Sequence, residues 1–137
     1  MSERQILQPP GWPRPKGYAN GIAVSGRQVF VAGMVGWNER AEFVETTLVG
    51  QVRQALLNVR AVLAEAGAGP EHIVRMTWYL LDRREYLAQS SAIGAVYREV
   101  LGKNFPAMSA FEVAGLVEDA ALVEIEVTAV VPELSEE

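Results

Sequence analysis

Two rhythms of apolar and polar residues run along this chain. Between Thr46 and Ala66, the residues Val49, Val52, Leu56, Val59, Leu63 and Ala66 recur at steps of three and four, the stripe of an amphipathic helix. Arg53, Asn58, Arg60 and Glu65 fall off that stripe, and Gly67-Ala68-Gly69-Pro70 supplies a glycine cap and a proline stop. Between Ala121 and Val131 the step is two: Val123, Ile125, Val127, Ala129 and Val131 oppose Leu122, Glu124, Glu126 and Thr128. Ile73 to Leu81 repeats the alternation, with Val74, Met76, Trp78 and Leu80 on one face. Met108 to Ala114 sets Met108, Ala110 and Glu112 against Ser109, Phe111 and Val113.

The links between these segments suggest how they connect. Glu118-Asp119 is turn chemistry, which predicts an antiparallel hairpin of the last two strands, with Met108, Ala110, Glu112, Glu124 and Glu126 on one face. Gly21 to Ser25 and Gln28 to Ala32 predict a second hairpin around Ser25-Gly26. Asp82-Arg83-Arg84-Glu85 resembles a capping box and opens a helix that carries Tyr86, Ser90, Ile93, Tyr97 and Val100 and stops at Gly102. Ser90 either bonds back to its own helix or faces a pocket. The order ββαβαββ predicts one α+β domain over 1–137, a mixed sheet with two helices on one face. The other face then needs a partner, because large apolar patches are rare on soluble monomers. Residues 1–17, rich in proline, form an extended arm that either packs on the surface through Trp12 or ends by delivering Tyr18 to a pocket. Residues 132–137 form a flexible acidic tail.

Composition removes whole classes of chemistry. With no cysteine there is no disulfide, thiolate nucleophile or zinc–thiolate site, and the single histidine, His72, reads as a solvated loop residue rather than a ligand. No metal and no cofactor is expected. A net charge of −5 without a basic run argues against nucleic acid. The chain shows neither a secretory signal pattern nor an apolar run near the roughly 20 residues that span a bilayer, so a cytoplasmic protein with no membrane partner is expected. Gly33 and Gly36 either let a ligand approach the backbone or mark a bulge; Gly33-Met34-Val35-Gly36 makes no phosphate loop, since no Lys-Ser/Thr follows.

Several segments, taken in register, resemble the YjgF/RidA family. Pro106-Ala107-Met108-Ser109 stands where the family has Pro-Ala-Arg-Ser, and Val123-Glu124-Ile125-Glu126-Val127 where it has Ile-Glu-Ile-Glu-Ala. Lys16-Gly17-Tyr18, Val31-Ala32-Gly33-Met34 and the run from Gln51 to Gly67 match further family segments. The resemblance implies a chorismate-mutase-like fold, a homotrimer built around a central barrel, and three clefts at subunit interfaces that take a small molecule. It also implies hydrolysis of reactive enamines or imines, such as 2-aminoacrylate, to 2-oxo acids and ammonia. Carried over by position, Glu124 activates water and Tyr18 hydrogen-bonds in the cleft, with Met108, Ala110, Ala32, Gly33, Ser90 and Phe105 around the substrate. Met108 replaces the arginine that grips the substrate carboxylate in relatives, a task the planar guanidinium suits. That points to a less anionic or aromatic substrate, unless Arg14, Lys16 or Lys103 supplies a cation. The alternative is a non-catalytic, metabolite-binding trimer with a regulatory role. An endoribonuclease is the weakest reading, given the acidic charge and the lack of a histidine pair.

Overall fold

The first rhythm folds as α1, Leu48–Glu65, in a computed structural model that describes residues 4–133. Thr47 caps it by accepting from the Gly50 N–H at 3.1 Å. Its far end closes as expected at the glycine: Ala68 N–H bonds to Leu63 O and Gly67 N–H to Ala64 O, with Gly67 at φ 69°. Val52, Leu56, Val59 and Leu63 are fully buried, so the stripe is core.

Four strands build the main sheet: β3 (Arg27–Val35), β4 (Ile73–Leu80), β5 (Ala107–Glu112) and β6 (Val123–Val131), in the order β3-β6-β4-β5. Two further helices, α2 (Arg83–Ala88) and α3 (Ser90–Leu101), cross from β4 to β5. The α+β mixed sheet is as expected, with three helices rather than two. Asp82 caps α2 through the Arg84 and Glu85 N–H groups, but the helix breaks at Gln89, where ψ reaches 12°. The break turns Tyr86 edge-on to Trp78 while Ile93, Tyr97, Val100 and Leu101 pack into the core.

Neither predicted hairpin forms. β5 pairs parallel with β4, and β6 inserts between β3 and β4, antiparallel to both. The alternation in β6 explains its place, because Val123, Ile125, Val127 and Ala129 are 0–3% exposed. A strand that buried needs ladder partners on both edges, and the more polar β5 is left at the rim. Near the N-terminus, β2 (Ile22–Ala23) pairs with β1 (Gln5–Ile6) instead of β3. Strand pairing and Arg4, which donates to Glu71 O and Ile73 O at 2.9 and 2.7 Å, hold the arm. Trp12 is 60% exposed and does not anchor it. His72 differs as well: it is half-buried, and its Nδ1 accepts from the Gly69 N–H at 3.0 Å. Residues 134–137 of the acidic tail and 1–3 of the arm lie outside the described residues.

The ten-residue link that replaces the last hairpin is held by Gln51, 1% exposed on α1. Its amide donates to Ala120 O at 2.8 Å and Glu45 O at 3.1 Å, and accepts from the Leu122 N–H at 2.7 Å. Gln51→Leu leaves these backbone groups unpaired, and an unpaired buried group costs about 1–3 kcal/mol. We expect a loss of about 3 kcal/mol, read as a lower urea midpoint with an unchanged slope.

Candidate active site

A cavity of about 500 Å³ opens between α3, the exposed end of β5 and the arm. Helix α3 contributes Ser90, Ile93, Gly94, Tyr97 and Arg98, one face at steps of three and four. Strand β5 contributes Met108 and Ala110, alternate residues that share a face with their β4 partners Met76 and Trp78. Trp78, Tyr86 and Phe105 complete the apolar wall, and Lys16, Gly17 and Tyr18 close it from the arm. Tyr18 is placed by its neighbour. The Ala19 N–H bonds to Pro106 O at 2.9 Å, and Ala19 bridges to Ala107 at the start of β5.

Aromatic contacts stiffen the wall. Tyr97 stacks on Phe105 with centroids 5.7 Å apart, and Trp78 meets Tyr86 at 6.0 Å. Burial drives the Tyr97 phenol far above its usual range and raises that of Tyr86, so both rings stay neutral. The Tyr97 hydroxyl donates to Asn104 O, which fixes the turn before β5. Glu112, at the end of β5, accepts from the Arg83 N–H at 3.0 Å and steadies the start of α2. The Trp78 Nε1 is buried and has no acceptor among the described residues.

Five carried-over positions therefore meet in one cavity: Tyr18, Ser90, Phe105, Met108 and Ala110. The other three lie elsewhere. Ala32 and Gly33 form a bulge in β3, where the pairing with β6 shifts between Val31 and Met34. The Glu124 carboxylate rests against Gly33, in the space that a side chain on Gly33 would fill. Glu124 and Glu126 project from the sheet face opposite Ile125 and Trp78, so the expected grouping with Met108 and Ala110 is not formed within one chain. On that face the Tyr79 hydroxyl donates to Glu126 at 2.6 Å, which raises the Tyr79 pKa, whereas the carboxylate of Glu124 accepts from none of the described residues.

The family model described as Endoribonuclease L-PSP matches residues 13–131. The chain belongs to this family. The RutC family protein UK114 of Drosophila melanogaster is 34% identical over 124 residues, 90% of this chain and 86% of that protein. A 2-iminobutanoate/2-iminopropanoate deaminase of Dermatophagoides farinae is 32% identical over 128 residues, 92% of this chain and 95% of that one. Among solved structures, the Rid family protein YyfB of Yersinia pestis superposes with a TM-score of 0.82 at 32% identity, covering 93% of this chain and 98% of that one. The YjgF/RidA resemblance thus holds over the whole fold.

Sequence reasoning overlooked Trp78, Tyr86, Gly94, Tyr97 and Arg98 as cavity residues. Trp78, Tyr86 and Tyr97 belong to apolar stripes, and a stripe does not reveal which of its residues border a void. Arg98 carried a usable signal, since Ser90, Gly94 and Arg98 are spaced by four. Of the three cations considered, Lys16 lines the cavity, while Arg14 and Lys103 line a neighbouring hollow that shares Tyr18 and Phe105. No helix among the described residues is long and apolar enough to cross a membrane, and none of their acidic, histidine or cysteine side chains cluster to hold a metal.

Proposed function

We propose that this chain hydrolyses an imine or enamine to a 2-oxo compound and ammonia, in clefts shared between the chains of a homotrimer. The observation that carries the reading is the split of the eight family positions, five into the cavity and three onto the opposite sheet face around Glu124. A second copy seated on that face brings a carboxylate to the mouth of a cavity that has none of its own. It also covers Phe30 and Phe111, which are 71% and 53% exposed. The relative named as an iminobutanoate/iminopropanoate deaminase supports the reaction class.

In this scheme water adds to the C=N carbon and its proton passes to Glu124, while the C=N electron pair moves to nitrogen. Glu124 returns that proton to the nitrogen, the proton of the added hydroxyl follows it, the C–N bond breaks, and ammonia leaves as the carbonyl forms. The Tyr18 hydroxyl donates a hydrogen bond to the substrate as charge builds. The aromatic walls and Met108 favour a larger, more apolar side chain than alanine provides. The test combines light scattering with ammonia release from imines generated in situ. We expect a trimer with turnover that Glu124→Ala removes. A stable monomer at micromolar concentration overturns the shared cleft; ligand binding without turnover selects the regulatory metabolite binder.

A further inference from the structure

The cavity is charged in a way that Met108 conceals. In a chain of net charge −5, its lining holds two cations, Lys16 and Arg98, and no aspartate or glutamate. Neither cation forms an ion pair among the described residues, whereas the adjacent Glu99 is taken by Arg53 at 2.6 Å. Arg98 lies on the same face of α3 as Gly94, where its Nη1 is 3.4 Å from the place a Gly94 Cβ would occupy. Lys16 comes from the arm, two residues before Tyr18. Behind them the wall is apolar, made by Trp78, Tyr86, Ile93, Tyr97, Phe105 and Met108. Its one buried donor without an acceptor is Trp78 Nε1.

A three-carbon acid fills little of a space of about 500 Å³ and leaves the aromatic rings uncovered. A carboxylate on a bulky apolar group satisfies both parts, with its charge beside the two cations and its side chain among the rings. Resting on the hydrolase reading for the reacting carbon, we propose that Lys16 and Arg98 take the carboxylate of an aromatic 2-imino acid and release an aromatic 2-oxo acid. The grip that relatives place on β5 has moved to the arm and α3, and β5 has become part of the side-chain pocket. The anion is kept and the small side chain is not.

Isothermal titration of the trimer or the full chain with phenylpyruvate, pyruvate and phenylacetone separates the two contributions. Phenylpyruvate has both the ring and the charge, pyruvate only the charge, and phenylacetone only the ring. We expect phenylpyruvate to bind at least about tenfold more tightly than either, with an affinity that falls as salt is raised. Arg98→Gln and Lys16→Gln are each expected to lower that affinity about five- to tenfold, toward the value for phenylacetone. Thermal melts confirm that both variants, altered only at exposed positions, are folded. Equal binding of phenylpyruvate and phenylacetone, or no loss in either variant, overturns the proposal, as does the absence of phenylpyruvate binding. Failure of the hydrolase reading looks different: phenylpyruvate binds and responds to both variants, yet no ammonia is released from the matching imine.

Discussion

Met108→Arg is expected to raise kcat/KM on the imine of a small aliphatic amino acid by about a hundredfold, from a weak wild-type level. The parent offers such a substrate no group at β5 that pairs with a carboxylate, and the short side chain leaves the aromatic wall unused. A guanidinium at position 108 supplies two charge-assisted hydrogen bonds at the bottom of the cavity, beside Ala110, whose small side chain leaves room for it. The same change should lower activity on aromatic imines, because it puts a hydrated cation among Trp78, Phe105 and Tyr97. Ammonia release from the two imine classes measures both effects as one switch in specificity. An unchanged ratio between the classes means that residue 108 does not meet the substrate carboxylate or side chain, and rejects the cleft as drawn.

The second large effect concerns how the site is divided. Glu124→Ala and Tyr18→Ala are each expected to lower kcat by a factor of about a hundred or more, since in the proposed scheme one removes the base and the other a hydrogen-bond donor with part of the wall. Mixed trimers should regain activity, because a cavity from the Glu124→Ala chain and a carboxylate from the Tyr18→Ala chain make one intact cleft. Random assortment by unfolding and refolding the mixture restores about a quarter of the clefts. The two variants mixed without refolding give the baseline. Recovery depends on Glu124 and Tyr18 coming from different chains, the arrangement proposed above for two residues that lie on opposite faces of one chain's sheet. If refolded mixtures recover nothing while parent trimers refold to full activity, the shared cleft is wrong.

How much of the site was legible depended on the kind of signal each residue carried. Tyr18 and Met108 are legible only from their positions in segments that resemble the family, and backbone pairing at Ala19 and Ala107 brings them together. Glu124 is legible in the same way, but its companions are not. Grouping it with Met108 and Ala110 assumes a hairpin of β5 and β6, in which alternate residues of the two strands share a face. Once β6 pairs with β3 and β4 instead, the register Trp78↔Ile125 and Trp78↔Ala110 puts Ala110 with Ile125 and leaves Glu124 behind the sheet. Arg98 lay one residue from the apolar stripe of its helix, where an exposed charge is the ordinary expectation.

The sequence by itself determined what depends on neighbours along the chain. The buried stripe of α1, its end at Gly67, the Asp82 cap and the buried face of β6 are local matters of periodicity and capping. Tertiary structure alone decided strand order, because pairing depends on which edge is free once the most apolar strand takes the centre. Alternation says which residues of β6 are buried and nothing about whether β3, β4 or β5 lies beside it. The cavity followed from the same decision. It exists because parallel pairing of β4 and β5 requires a helical crossover, and Gly94 and Ala110 leave the space beneath it unfilled. A void of that kind is the shape left between elements, and no periodicity along one chain records it.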